Sequence, residues 1–218
     1  MKRVKGCSSM EQEAYLESLL PKTSDHIKKI EEYAERENVP IMEPLGIHFL
    51  MQTIRLHKPE KVLEIGAAIG YSALRMLEAA PDSQIVTLER DEGRYKEAVR
   101  NIEAAEAGDR IDVLFGDALE LKDKVAEKAP YDLLFIDAAK GKYEEFFHLY
   151  TPLLSERGII ISDNVLFKGY VADDSEASKR MAKIAKKIRH FNEWLTSHPD
   201  YHTTIIPIGD GVAITTKK

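Results

Sequence analysis

"YHTTIIPIGDGVAITTK", Tyr201 to Lys217, holds two β-patterned runs parted only by Gly209-Asp210-Gly211. Strands this close have room for a hairpin and nothing else, so they lie antiparallel. Everything upstream reads differently. From residue 60 onward, short Val/Ile/Leu runs alternate with longer charged segments of helical spacing: "KVLEI" (61–65), "QIVTLE" (84–89), "IDVLF" (111–115), "YDLLFID" (131–137) and "GIIIS" (158–162). Continuous apolar runs suit strands buried on both faces, and the helices between them suit right-handed crossovers. The expectation is a Rossmann-like α/β fold, a doubly wound, mostly parallel sheet of seven strands ending in an antiparallel hairpin. That closing hairpin separates the plan from an ordinary dinucleotide-binding dehydrogenase.

Residues 11–57 read as an N-terminal cover of two or three helices over a core spanning 60–218, all within one domain, 1–218. "TSDHIKKIEEYAERE" offers Thr23 or Ser24 as an N-cap, and "MEPLGIHFLMQTIRL" after Pro40 is apolar over much of its length. With 44% hydrophobic residues among 218, the chain can bury one substantial core. The single cysteine, Cys7, has no partner, which fits a reducing compartment. No apolar run approaches the roughly 18 residues of a membrane span, and the start has no continuous apolar signal region. A cytoplasmic protein without a membrane partner is expected. A net charge of −6 gives no global pull toward nucleic acid, although a local basic patch can override the balance.

The strand ends carry the chemistry. "VLEIGAAIGYS" puts a buried strand before a glycine-bearing turn and a helix start, where Gly66 and Gly70 admit a ligand close to the backbone. Ala68 stands where a dinucleotide fingerprint has its middle glycine, which crowds a pyrophosphate. A tight turn without ligand is the plainer alternative. Glu89 follows about 20 residues on, the distance at which an acidic residue holds ribose hydroxyls. Asp117 ends the third run, either as an N-cap with Ala118 beginning a helix or as an adenine contact. Asp137, with Lys140 three residues later, ends the fourth, and Asp163-Asn164 the fifth. In an open parallel sheet such groups converge in one crevice beyond the strands' carboxyl ends. Two carboxylates and an amide oxygen are hard donors that suit Mg²⁺, with Mn²⁺ or Ca²⁺ as substitutes, better than Zn²⁺. Lys140 beside a cation could accept a proton, or be a solvated loop lysine.

"VLEIGAAIGYSA", "IDAAK", "SDNVL" and "PIGDGVAIT", in that order, make the sequence from residue 38 to the end resemble the cation-dependent class I S-adenosylmethionine O-methyltransferases, the group of the catechol and caffeoyl-CoA enzymes. The resemblance implies that Asp137, Asp163 and Asn164 ligate Mg²⁺ and that Lys140 deprotonates the substrate hydroxyl. It implies a cofactor cradle of Glu64, Gly66, Ala67, Gly70, Tyr71 and Ser72, with Ser72 at the methionine carboxylate and Glu89 on the ribose. Asp117 and Ala118 would flank adenine, Met42 would lie over the cofactor, and Asp137 would border both cofactor and metal. A homodimer is implied as well. The nicotinamide-dependent oxidoreductase remains a distant alternative.

For the acceptor, "KTSDHIKKIEEYAERENVPIMEPLG" and "NVLFKGYVADD" look most like the branch acting on 5-hydroxyuridine at the wobble position of bacterial tRNA. A small catechol-like or CoA-linked phenol is the alternative. In "SKRMAKIAKKIRHFNEWL", Met181, Ile184, Ala185, Ile188, Phe191 and Leu195 form one helical stripe. Lys179, Arg180, Lys183, Lys186, Lys187 and His190 fall opposite, a face that could follow RNA phosphates or simply be solvated. "MKRVK", Arg55, His57 and Lys58 are candidates to extend it. Phe167 and Tyr170 could stack a base or pack a lid.

Overall fold

The structure, a computed structural model, describes residues 9–218; Cys7 and "MKRVK" lie outside the described residues. Three helices come first: α1 (Ser9–Ser18), α2 (Asp25–Glu37) and α3 (Pro44–His57). Ser24 caps α2, its hydroxyl accepting from Ile27 N at 3.3 Å, and Pro44 opens α3, where a missing N–H costs nothing. The alternation follows: β1 (Lys61–Ile65), α4 (Tyr71–Ala79), β2 (Gln84–Glu89), α5 (Glu92–Ala104), β3 (Ile111–Phe115), α6 (Lys122–Ala126), β4 (Tyr131–Ile136), α7 (Tyr143–Tyr150) and β5 (Leu154–Ser162). The chain ends with α8 (Lys179–Thr196), β6 (Tyr201–Ile206) and β7 (Val212–Lys217). Among the described residues no helix is long and apolar enough to cross a membrane.

The seven strands stand in the order β3-β2-β1-β4-β5-β7-β6, parallel except at β7, which runs antiparallel to both β5 and β6. Successive side chains of a strand point to opposite faces, and both faces are covered here. Val62, Ile85, Leu133, Phe135 and Ile161 pack beneath α2, α3, α4 and α5, while Leu63, Leu88, Leu134, Ile136 and Ile160 pack beneath α6, α7 and α8. That double burial is why the strands read as unbroken apolar runs.

β5 is longer than the run 158–162 suggests. It starts at Leu154, and its register with β4 shifts between Tyr131 and Leu133. Gly158 sits inside the irregularity, where a Cβ would fall 2.9 Å from Leu154 Cβ, so the strand kinks through polar "SER" without leaving the sheet. Ala118 likewise does not begin a helix. It lies in a turn, with Glu120 N donating to Asp117 O at 2.9 Å, and α6 starts only at Lys122.

From β1 the chain winds outward to β2 and β3 on one side, then crosses back from β3 to β4 on the other side of β1. The crevice at that reversal is where this fold class seats ligands. The ladder carries on one residue past each strand: Asp137 N donates to Ile65 O and Asp163 N to Ile136 O, both at 3.0 Å, and Gly66 N donates to Leu88 O at 3.0 Å. Gly66, Asp137 and Asp163 are therefore brought side by side by backbone register.

Candidate active site

At this reversal lies a cavity of about 350 Å³, within the range of small-molecule sites. Met42, Gly66, Glu89, Asp117, Ala118, Asp137, Lys140, Asp163 and Asn164 all line it. Ala67, Gly70, Tyr71, Ser72 and Glu64 do not; they build the turn behind it.

Gly66 has φ +104°, and a Cβ there would lie 2.1 Å from Asp137 O, so only glycine lets β1 and β4 close at this point. Glu89 ties the turn to β2. Its Oε2 accepts from Ala68 N at 2.8 Å, and its Oε1 accepts from Arg90 N at 2.9 Å and Asp91 N at 2.8 Å. Beneath the turn, Glu64 is fully buried and accepts hydrogen bonds from Ser72 Oγ and from Thr87 Oγ1, the latter at 2.5 Å. Burial pushes the Glu64 carboxyl up to about 7 against the pull of both hydroxyls. The Ser72 hydroxyl thus turns to Glu64, and Tyr71 turns to α2, donating to Glu31 Oε1 at 2.9 Å. Asp117 Oδ1 accepts from Leu119 N at 2.9 Å, closing a local turn, while its other oxygen stands 3.8 Å from Arg90.

The other half of the cavity is acidic. Asn164 Nδ2 donates to Asp163 Oδ2 at 2.5 Å and to Asp137 Oδ1 at 3.3 Å, so the three side chains close on one another. Lys140 Nζ donates to Asn164 Oδ1 and lies 5.1 Å from the centroid of the Phe167 ring. Burial raises both carboxyls above the ordinary range; Asp137 adds to the effect on Asp163, and Lys140 opposes it at each. Two buried carboxylates this close repel one another, and a bound cation would relieve them. Among the described residues no three His, Cys, Asp or Glu side chains gather to hold a metal ion. Here an amide completes the acidic pair, a hard-oxygen donor set that fits Mg²⁺.

Some lining residues carry no sequence signal of their own. Arg94 reaches the cavity from the first turn of α5, Leu119 follows Ala118, and Lys142 and Phe146 follow the Lys140 loop. Of the two readings of Phe167, the structure has the packed one. Its ring is 6% exposed, packed below Lys140 and against Tyr170 at 6.0 Å, and is not free to stack a base. The stripe on α8 is as the periodicity has it: Ala185, Ile188, Phe191 and Leu195 are buried, and Lys179, Arg180, Lys183, Lys186, Lys187 and His190 are exposed.

Comparison with known proteins gives one consistent result. Residues 8–218 match the family profile described as O-methyltransferase. A caffeoyl-CoA O-methyltransferase from Populus kitakamiensis is 28% identical, over 94% of this chain and 92% of its own. The crystal structure of a Staphylococcus aureus protein, provisionally named a caffeoyl-CoA O-methyltransferase, superposes with a TM-score of 0.89 at 34% identity, covering 96% of this chain and 100% of that one. A Bacillus cereus O-methyltransferase solved in complex with SAH superposes with a TM-score of 0.82 at 26% identity, covering 95% and 97%.

Proposed function

The chain belongs to the O-methyltransferase family, and from that premise we propose that it transfers a methyl group from S-adenosylmethionine to a substrate hydroxyl held between Asp137, Asp163, Asn164 and Lys140. The observation that carries the reading is the convergence of two buried carboxylates, one amide and one lysine at adjacent strand ends. Glu89, Gly66, Asp117 and Met42, lining the same cavity, are the proposed cofactor half, a role supported by the SAH complex of the Bacillus cereus relative. Asp137, Asp163 and Asn164 would hold Mg²⁺. When bound, the ion supplies positive charge that favours the ionised hydroxyl.

The chain's own residues supply position and a proton acceptor. Lys140 Nζ takes the hydroxyl proton, and the freed oxygen attacks the methyl carbon as the carbon–sulfur bond breaks, leaving S-adenosylhomocysteine. No covalent enzyme intermediate is needed.

For the acceptor, a small catechol-like or CoA-linked phenol ranks first, supported by the relatives named for caffeoyl-CoA and by a Vitis vinifera flavonoid 3',5'-methyltransferase, 29% identical over 90% of this chain. The second reading, wobble 5-hydroxyuridine of tRNA, is favoured by a separate observation. The exposed basic face of α8 reaches the catalytic loop, with Lys187 Nζ 2.9 Å from where a Cβ on Gly141 would sit. Both acceptors offer adjacent oxygens. Labelled S-adenosylmethionine, offered in parallel with caffeoyl-CoA, catechol and hydroxyuridine-containing tRNA, tests the assignment. Label in the phenols alone removes the RNA reading; label in tRNA alone removes the phenols; label in none removes both. A homodimer is proposed as well, supported by Tyr15, Leu16 and Leu19 exposed on and just after α1, and sedimentation at monomer mass would overturn it.

A further inference from the structure

We propose that Phe167 is a positioning residue that holds Lys140 Nζ over the acceptor site, its ring facing the ammonium that forms as the acceptor's proton is taken, and that the hairpin turn at Asp210 holds Phe167 there. The inference rests on the reading of Lys140 given above. A lysine on a four-carbon stem has wide rotamer freedom and needs contacts to keep its charge in one place. Lys140 has two: Asn164 Oδ1 on one side and the face of the Phe167 ring on the other, within the roughly 6 Å reach of a cation–π contact.

The backbone makes the second contact more than incidental. Phe167 has φ +45° and Lys168 φ +55°, in the left-handed region that bulky side chains avoid. Nothing in "VLFKG" selects that conformation; the C-terminal hairpin imposes it. Asp210 O accepts from Leu166 N at 2.8 Å and Phe167 N at 3.1 Å, Asp210 Oδ1 accepts from Lys168 N at 3.1 Å, and Gly211 O accepts from Val165 N at 3.0 Å. Four consecutive N–H groups are thereby fixed by one turn about forty residues away. Gly211 allows the approach, since a Cβ on it would fall 2.4 Å from Leu166 Cγ. From below, Asn192 Nδ2 donates to Val165 O at 2.7 Å. Strain kept at two adjacent residues and offset by a surrounding clamp is the pattern of a functional position. The ring it delivers points its face at the lysine.

The test compares Phe167→Leu, Phe167→Tyr and pentafluorophenylalanine at 167, which keeps the ring's shape and withdraws its electrons. Phe167→Leu lowers kcat by roughly tenfold, with the KM for S-adenosylmethionine changed by less than about twofold. Phe167→Tyr restores most of the rate, and the fluorinated ring loses it like Leu while melting like wild type. Equal rates in all variants, equal losses in Leu and Tyr, or a loss confined to the acceptor KM would overturn the proposal. An NMR spectrum of enzyme carrying ¹³C-lysine reads the contact without turnover: the Lys140 ε-methylene is shifted upfield by the ring and returns to its ordinary position in Phe167→Leu. A wild-type resonance at the ordinary position overturns the clamp. Wild-type enzyme inert toward every acceptor, with the upfield resonance present, overturns the methyltransferase reading and leaves the clamp standing.

Discussion

Replacing Asp163 by asparagine should make the metal-free protein more stable at pH 8 while it removes a carboxylate from the proposed metal site. Asp163 is 5% exposed, and its carboxyl is pushed up to about 8, first by burial and then by Asp137. In the unfolded chain the same group ionises near about 4. Between those values the folded form holds a proton that the unfolded form releases. Folding is therefore undisturbed below about pH 4 and loses strength as pH rises toward 8. The slope is about 1.4 kcal/mol per pH unit, so the three units from pH 5 to pH 8 amount to at most about 4 kcal/mol. For a chain of this length that corresponds to at most about 8–16 °C in Tm. The amide introduced by Asp163→Asn keeps an acceptor for the 2.5 Å bond from Asn164, so packing changes little. Thermal melts in EDTA at pH 5 and pH 8 decide it: the variant gains at pH 8 and much less at pH 5. Equal gains at both pH values, or a loss at pH 8, would refute the electrostatic reasoning. Added Mg²⁺ should raise the wild-type melt and leave the variant's unchanged, because only a ligand that binds the folded form stabilises it.

Other perturbations follow from the same geometry. Lys140→Met should lower kcat by about 10²–10⁴-fold with SAH affinity unchanged by calorimetry, the span lost when a positioned proton acceptor is removed. Gly66→Ala puts a Cβ 2.1 Å from Asp137 O on a left-handed backbone, and should cost more than about 3 kcal/mol in denaturant melts or prevent folding. Gly211→Ala displaces Leu166 and with it the loop after Asn164, so methyl transfer should fall more than tenfold, roughly, while a melt shows the core retained.

Much of this arrangement is written locally. The short apolar runs and the Gly209-Asp210-Gly211 turn stand in the sheet as they read, and Glu89, Asp117, Asp137 and Asp163 stand at or just past four of the strand ends, because ladder register aligns those ends. Asp137, Lys140, Asp163 and Asn164 fall together for that reason. What stays hidden depends on contacts between distant segments. Nothing near Ser72 says that its hydroxyl faces Glu64, and nothing near Tyr71 points to Glu31 forty residues earlier. Phe167 reads as either a stacking platform or lid packing until the hairpin's hydrogen bonds, with its backbone left-handed and its ring buried, decide for packing. Gly158 looks like the start of a strand because the kink that carries β5 back to Leu154 is set by its pairing with β4.

We propose that methyl transfer depends on a divalent cation held by Asp137, Asp163 and Asn164. The most direct measurement is the initial rate of methyl transfer to whichever acceptor is labelled, taken in EDTA, after Mg²⁺ is restored, and with Asp137→Ala in saturating Mg²⁺. The expected rate is abolished by EDTA, recovered with Mg²⁺, and absent in the variant. A rate indifferent to EDTA, or an Asp137→Ala enzyme that turns over at the wild-type rate, would contradict it.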